Sequence, residues 1–201
     1  MAARDMWEIE RSVLVKGVAP VCGCDEAGAG PLAGPVYAAA VILPEGLEIE
    51  GLDDSKKLTE RKRERLYDII MEKAVAWSVA SVDEKEIDRI NILNARMKAM
   101  DMAIQKLKVK PAFALIDGNR NSGIDIPNET VIGGDGKSAS IAAASILAKV
   151  SRDRYMLEMA KLYPEYQFEK HKGYGTKLHY EMLRTFGPSP IHRMTFLKKL
   201  H

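Results

Sequence analysis

The chain is short of cysteine: it has Cys22 and Cys24 and no other among 201 residues. Two thiols this close on one expected strand make no disulfide framework, and reduced thiols fit a cytoplasmic setting. Long hydrophobic runs are missing too; none approaches the ~20 residues that a membrane span needs. The first ten residues lack the basic-then-apolar order of a secretory signal. Internal repeats, low-complexity tracts and long linkers are also absent. What is present is an ordinary globular balance, 46% hydrophobic and 29% charged, in a chain long enough to bury a full core.

The net charge of +2 conceals an asymmetry. Residues 1–136 carry 18 Lys/Arg against 23 Asp/Glu, whereas residues 137–201 carry 12 against 5 and all four histidines. An acidic part beside a basic part suits a protein that holds metal in one place and a polyanion in another. Plain scatter of charge produces the same picture.

Residues 19–25 and 36–43 read as strands, the second a continuous apolar run punctuated by prolines. A helix capped by Thr59 is expected over 59–74, an alternating strand over 76–82, and an amphipathic helix over 92–107. Further strands are expected at 112–116 and 130–132. The longest helix falls at 140–163, where Ala142, Ala143 and Ala144 let its backbone lie close to a sheet. A helix near 177–186 and a basic tail follow. The order predicts an α/β protein with a mixed central sheet flanked by helices. It reads as one domain over residues 1–201, with a basic helical extension from about residue 164.

Asp25, Asp117 and Asp135 then stand at the ends of expected strands, each followed directly or soon by glycine, and Glu26 follows Asp25. Ends of neighbouring strands converge, which is how α/β sheets build sites at one edge. Four carboxylates and no imidazole or thiolate select a hard cation, Mg²⁺ or Mn²⁺, over zinc. Two such ions ~3.5–4 Å apart suit in-line attack on a phosphodiester. One tension is built in: consecutive strand residues face opposite ways, so Asp25 and Glu26 share a site only if the strand ends or bulges there. Taken singly, Asp117-Gly118-Asn119 and Gly134-Asp135-Gly136 are common turns.

The motifs together resemble bacterial ribonuclease HII. They are Asp-Glu-Ala-Gly-Ala-Gly-Pro-Leu-Ala-Gly-Pro-Val at 25–36, Asp-Ser-Lys-Lys-Leu at 54–58, Ile-Asp-Gly-Asn at 116–119, the Ser/Ala-rich block at 137–150, and His-Lys-Gly-Tyr-Gly-Thr-Lys at 171–177. The resemblance implies a ribonuclease H-like fold with a helical C-terminal part. It implies a metal-dependent endonuclease acting on RNA paired with DNA and on single ribonucleotides in duplex DNA. Cleavage 5′ of the ribonucleotide, leaving 3′-hydroxyl and 5′-phosphate ends, is part of the same expectation. So are two Mg²⁺ or Mn²⁺ ions on Asp25, Glu26, Asp117 and Asp135, and a monomer with no obligate protein partner.

The resemblance also implies that Gly28, Ala29 and Gly30 approach the ribose at the RNA–DNA junction, and that Tyr174 packs against the neighbouring deoxyribose. The family usually has arginine where this chain has Ala29, so the backbone part of that contact is expected to survive and the side-chain part to be lost. Lys56, Lys57 and Lys149 are expected on backbone phosphates, with Lys137 and Arg152 as further candidates. Arg152-Asp153-Arg154 otherwise reads as a helix-surface cluster, with Asp153 paired to a neighbouring arginine instead of binding metal. His171, His179 and His192 lack ligand spacing and read as phosphate-facing or structural. Two other functions stay open on residues alone: a DNA nuclease or strand-transfer enzyme on the same fold, and a nucleic-acid binding module without catalysis.

Overall fold

The computed structural model describes residues 5–198. The extreme start of the chain and the last residues of the basic tail, read above from sequence, lie outside that range. Strands β1 (Val21–Ala27), β2 (Val36–Ile42), β3 (Ala76–Val82), β4 (Phe113–Asp117) and β5 (Asn128–Val131) form one sheet in the order β3-β2-β1-β4-β5. β1 and β3 both run antiparallel to β2. β4 runs parallel to β1, and β5 parallel to β4. The mixed α/β sheet expected from sequence is therefore present.

Seven helices accompany it among the described residues: α1 (Glu8–Leu14), α2 (Glu60–Lys73), α3 (Glu84–Ile90), α4 (Ile92–Lys106), α5 (Ala139–Leu162), α6 (Phe168–His171) and α7 (Lys177–Phe186). Alternation along β1 and β2 supplies two apolar faces. Cys22, Cys24, Ala38 and Ala40 pack against Met97, Met100 and Ile104 of α4. Ala39 and Val41 face the other way, onto Ala143, Ile146 and Leu147 of α5 and Leu66 and Ile70 of α2. Ile146 and Leu147 are fully buried, each contributing ~1.5–3 kcal/mol.

The start of α5 lies directly on β1. A Cβ placed on Gly23 would stand 2.2 Å from both Ile141 N and the Ser140 carbonyl carbon. Small residues on both sides make that approach possible. The helix end is held by Ser138, whose hydroxyl accepts from Ile141 N–H at 3.1 Å. Buried Glu10 of α1 adds its Oε1, which accepts from Ser138 Oγ, Ser140 N and Ser140 Oγ at 2.6, 3.0 and 2.6 Å. A carboxylate at a helix N-terminus also opposes the helix dipole favourably.

Some boundaries differ from expectation. β1 runs two residues further, to Ala27, so Asp25 and Glu26 lie inside a strand. Asp117 is the last residue of β4. Asp135 is not at a strand end: β5 stops at Val131 and Asp135 sits in a single 3-10 turn, Gly134–Gly136, entered through Gly133 at φ +64°. Helices α1 and α3 had no expectation.

Candidate functional site

Parallel β1 and β4 are in register at Cys24 and Ile116. One step further along, Asp25 and Asp117 leave the sheet side by side, on the α5 face. β4 ends there, while β1 continues to Ala27 paired with β2 alone. Beyond that point both faces of β1 open onto the same space, a cleft of about 230 Å³ lined by Asp25, Glu26, Gly28–Gly30, Asp117, Lys56, Lys149 and Tyr174 among others. This removes the tension between Asp25 and Glu26. No bulge is needed, because the cleft lies off an edge of the strand and not over one face.

Each acid is held by a defined partner. Asp25, almost fully buried, accepts the Glu26 N–H at 2.7 Å. Glu26, turned toward α4, meets Arg96 at 3.3 Å while its Oε2 is buried without a hydrogen-bond partner. Asp117 accepts the Gly134 N–H at 2.7 Å. Asp135 is paired with Lys56 Nζ at 3.1 Å. Among the described residues, no three acidic, histidine or cysteine side chains already stand together as a ligating group.

The electrostatics record an excess of negative charge. Burial raises the Asp25 carboxyl well above the usual range, and the charges of Glu26 and Asp117 add to it. Glu26 is raised by burial against the opposing pull of Arg96. Asp117 is raised by burial and by Asp135. Burial pulls Lys56 down, but its bond to Asp135 and the surrounding carboxylates outweigh that and leave it raised. Such a set gains from added positive charge, and its oxygen-only donors, including the free Glu26 Oε2, fit Mg²⁺ or Mn²⁺.

The cleft's rim is built from three further segments. Ser145 of α5 donates to Ser55 at 2.7 Å, and Arg63 holds the Ser55 and Leu58 carbonyls at 3.0 and 2.6 Å, which carries Lys56 over the acids. Lys149 pairs with Asp153 at 2.8 Å and lies 5.7 Å from the centre of the Tyr174 ring, with Arg152 at 5.6 Å. Cations this close favour an aromatic face. Tyr174 is 42% exposed and lines the cleft.

Several expected contacts are elsewhere. Lys57 is turned to Asp53 at 3.1 Å and does not line the cleft. Lys137 donates to the Ile132 carbonyl at 2.6 Å. Arg152 is neither a phosphate contact nor a surface charge: it is fully buried and donates to the Pro35 and Ala33 carbonyls at 3.3 and 3.1 Å. Asp153 takes Lys149 first and Arg63 at 4.0 Å, so its main partner is a lysine and not a neighbouring arginine. Cys22 and Cys24 are free, as expected, and both are buried.

The three histidines are structural, and their hydrogen bonds dictate their protonation. Ser189 N–H donates to His192 Nδ1 at 2.8 Å, so that nitrogen is an acceptor and His192 Nε2 carries the hydrogen. It donates to His179 Nε2 at 2.9 Å, which leaves His179 Nδ1–H to donate to the Tyr174 carbonyl at 2.9 Å. His171 accepts from Gly173 N–H at 3.2 Å and donates from Nε2 to the Tyr166 carbonyl at 2.9 Å. This neutral relay anchors the loop that carries Tyr174. Arg193, fully buried, went unnoticed in the sequence; only the Pro188-Ser189-Pro190 turn before it hints at an ordered segment. Arg96, beside Glu26, had no local signal at all.

The sequence profile of the family Ribonuclease HII matches residues 22–199. A ribonuclease HII of Caldicellulosiruptor bescii is 54% identical over 194 residues, 96% of this chain and 94% of that protein. Among solved structures, the ribonuclease H2 of Pyrococcus horikoshii superposes with a TM-score of 0.70 at 28% identity, covering 87% of this chain and 92% of the other. A structure of Bst-RNase HIII in complex with Mn²⁺ shares the fold at TM-score 0.61 and 18% identity, over 83% of this chain and 62% of that one.

Proposed function

The chain belongs to the ribonuclease HII family, and from that premise we propose that its cleft hydrolyses the RNA strand of RNA–DNA hybrids and cuts 5′ of single ribonucleotides in duplex DNA. The observation that carries this reading is the set of carboxylates Asp25, Glu26 and Asp117 lining one cleft at the β1–β4 edge, each raised first by burial and further by an acidic neighbour. The ribonuclease H activity and the need for a metal follow from the family. The four ligands, the two ions and the product ends are what the resemblance implies, carried over to this cleft as part of the proposal.

Asp25, Glu26, Asp117 and Asp135 would hold two Mg²⁺ or Mn²⁺ ions, which when bound supply an activated water and offset charge on the leaving oxygen, giving 3′-hydroxyl and 5′-phosphate ends. The protein's own groups do the rest. The Glu26 and Gly134 N–H groups fix the orientation of Asp25 and Asp117. Lys56, whose side chain is largely exposed, neutralises Asp135 and is free to swing onto a phosphate. Lys149 offers charge beside the flat face of Tyr174, on which a sugar can rest. The excess of basic residues beyond 137 suits a polyanion.

No helix among the described residues is long and apolar enough to cross a membrane. Two free thiols suit a reducing cytoplasm, and we assign the enzyme there as a monomer acting without a protein partner.

The test is end-labelled duplex DNA carrying one ribonucleotide, incubated with Mg²⁺, with Mn²⁺ and with chelator. Metal-dependent cutting on the 5′ side of the ribonucleotide, lost in Asp25→Asn, is expected. The same substitution should raise the melting temperature, since it deletes a repelled buried charge while keeping an acceptor for Glu26 N–H. Equal cutting of all-DNA duplex, or an active Asp25→Asn, overturns the reading.

A further inference from the structure

The wall formed by Gly28, Ala29 and Gly30 is shaped from behind by a buried guanidinium. Arg193 donates from Nη2 to the Gly28 carbonyl at 2.6 Å, from Nη1 to the Ala29 carbonyl at 3.0 Å and from Nε to the Gly34 carbonyl at 2.9 Å. Its own backbone N–H donates to Leu32 at 2.8 Å, and Gly34 N–H donates to Ile191 at 2.9 Å. Arg152 adds its bonds to Ala33 and Pro35. Two buried guanidinium groups thus take up five carbonyls between residues 28 and 35.

The consequence follows from peptide geometry. A trans peptide is planar, so a carbonyl and the next N–H point in opposite directions. With the carbonyls of Gly28 and Ala29 turned in toward Arg193, the N–H groups of Ala29 and Gly30 turn out, toward the cleft that these residues line. Gly28 permits this at φ +94°, where a Cβ would also stand 2.1 Å from Arg152 Nε. Two successive N–H groups backed by cations make a small donor surface for an oxygen. At residue 29 this chain offers only backbone, so the surface has no side-chain substitute.

We propose that Arg193 is a positioning residue for this wall: by holding the Gly28 and Ala29 carbonyls it keeps the Ala29 and Gly30 N–H groups presented to the cleft, where the family resemblance places the junction ribose. Only the nature of the substrate rests on the ribonuclease reading above; the loop geometry does not. Arg193 itself touches no substrate.

The experiment compares wild type with Arg193→Gln and Arg193→Lys, each checked for folding by thermal melt. Fluorescence anisotropy in chelator gives affinities for a duplex with one ribonucleotide and for the same duplex in DNA alone; amide hydrogen exchange of Ala29 and Gly30 is read on the free protein. Arg193→Gln is expected to lose at least tenfold in the ratio of the two affinities while its affinity for all-DNA duplex stays within twofold. Its Ala29 and Gly30 amides should change exchange rate. Lysine, a point charge serving one carbonyl at a time, should restore the ratio in part, and it carries the test should glutamine prevent folding. An unchanged ratio, or affinities for both duplexes falling in parallel, overturns the proposal. If wild type itself shows no preference, the ribonuclease reading fails, and unaltered amides in the variants would then refute the positioning role separately.

Discussion

Acid should weaken this protein through His179 and His192 in particular. Both are buried, at 0% and 3% exposure, and burial pushes each imidazole down to about 4. In an unfolded chain the value is ~6.5. The folded state therefore refuses protons that the unfolded state accepts. The contribution to stability is complete above about pH 6.5 and is lost as pH falls toward 4. At ~1.4 kcal/mol per unit, going from pH 7 to pH 5 removes about 2 kcal/mol for each histidine and about 4 kcal/mol for the pair, a large part of a typical 5–15 kcal/mol. The relay explains the cost structurally: an extra proton on either ring sets a donor against Ser189 N–H or against the other ring.

Asp25, Glu26 and Asp117 act in the opposite sense. Their raised carboxyls bind protons more readily in the folded state, so acid relieves them. The measurement must therefore be a difference. Urea unfolding at pH 7 and pH 5 is run on wild type, His179→Gln and the double variant His179→Gln/His192→Gln. Each variant begins less stable, but the loss on acidification should shrink by about 2 kcal/mol in the single and about 4 kcal/mol in the double variant. Equal losses in all three proteins would refute the reasoning.

Two further outcomes are expected. Gly23→Ala drives a methyl into backbone atoms of α5 that cannot step aside, so it should cost about 3 kcal/mol or more in urea unfolding; a cost below 1 kcal/mol would show that α5 can retreat. Ala29→Arg places a guanidinium at the cleft, and a charge-assisted bond worth ~1.5–3 kcal/mol should tighten hybrid binding about 10- to 100-fold; unchanged affinity by anisotropy would rule out a phosphate within its reach.

What could be read in advance was whatever leaves a periodic trace. The alternation of 76–82 gave β3 to the residue, and the small-residue start of the long helix anticipated its seat on β1. Asp25 and Asp117 were legible because two parallel neighbours run in register up to Cys24 and Ile116, although only β4 ends there and β1 runs on to Ala27. Asp135 was expected at a strand end, whereas a turn delivers it to its pairing with Lys56. Arg152, Arg193 and the histidines were illegible: a buried charged side chain and an exposed one look alike in a sequence, and only long-range carbonyls distinguish them. Lys57 differs from Lys56 in its placement: it pairs with the local acid Asp53 and does not line the cleft.

The clasp on the Gly28 and Ala29 carbonyls joins residues 164 and 165 positions apart. Synthesis runs from the N-terminus, so every carboxylate of the cleft leaves the ribosome well before the arginine that shapes its wall. A growing chain that has made the acids but not residue 193 has no guanidinium behind the Gly28–Gly30 wall. The clasp thus closes only when synthesis is nearly finished, and a product truncated before residue 193 would carry the acids of the cleft without the group that holds their wall.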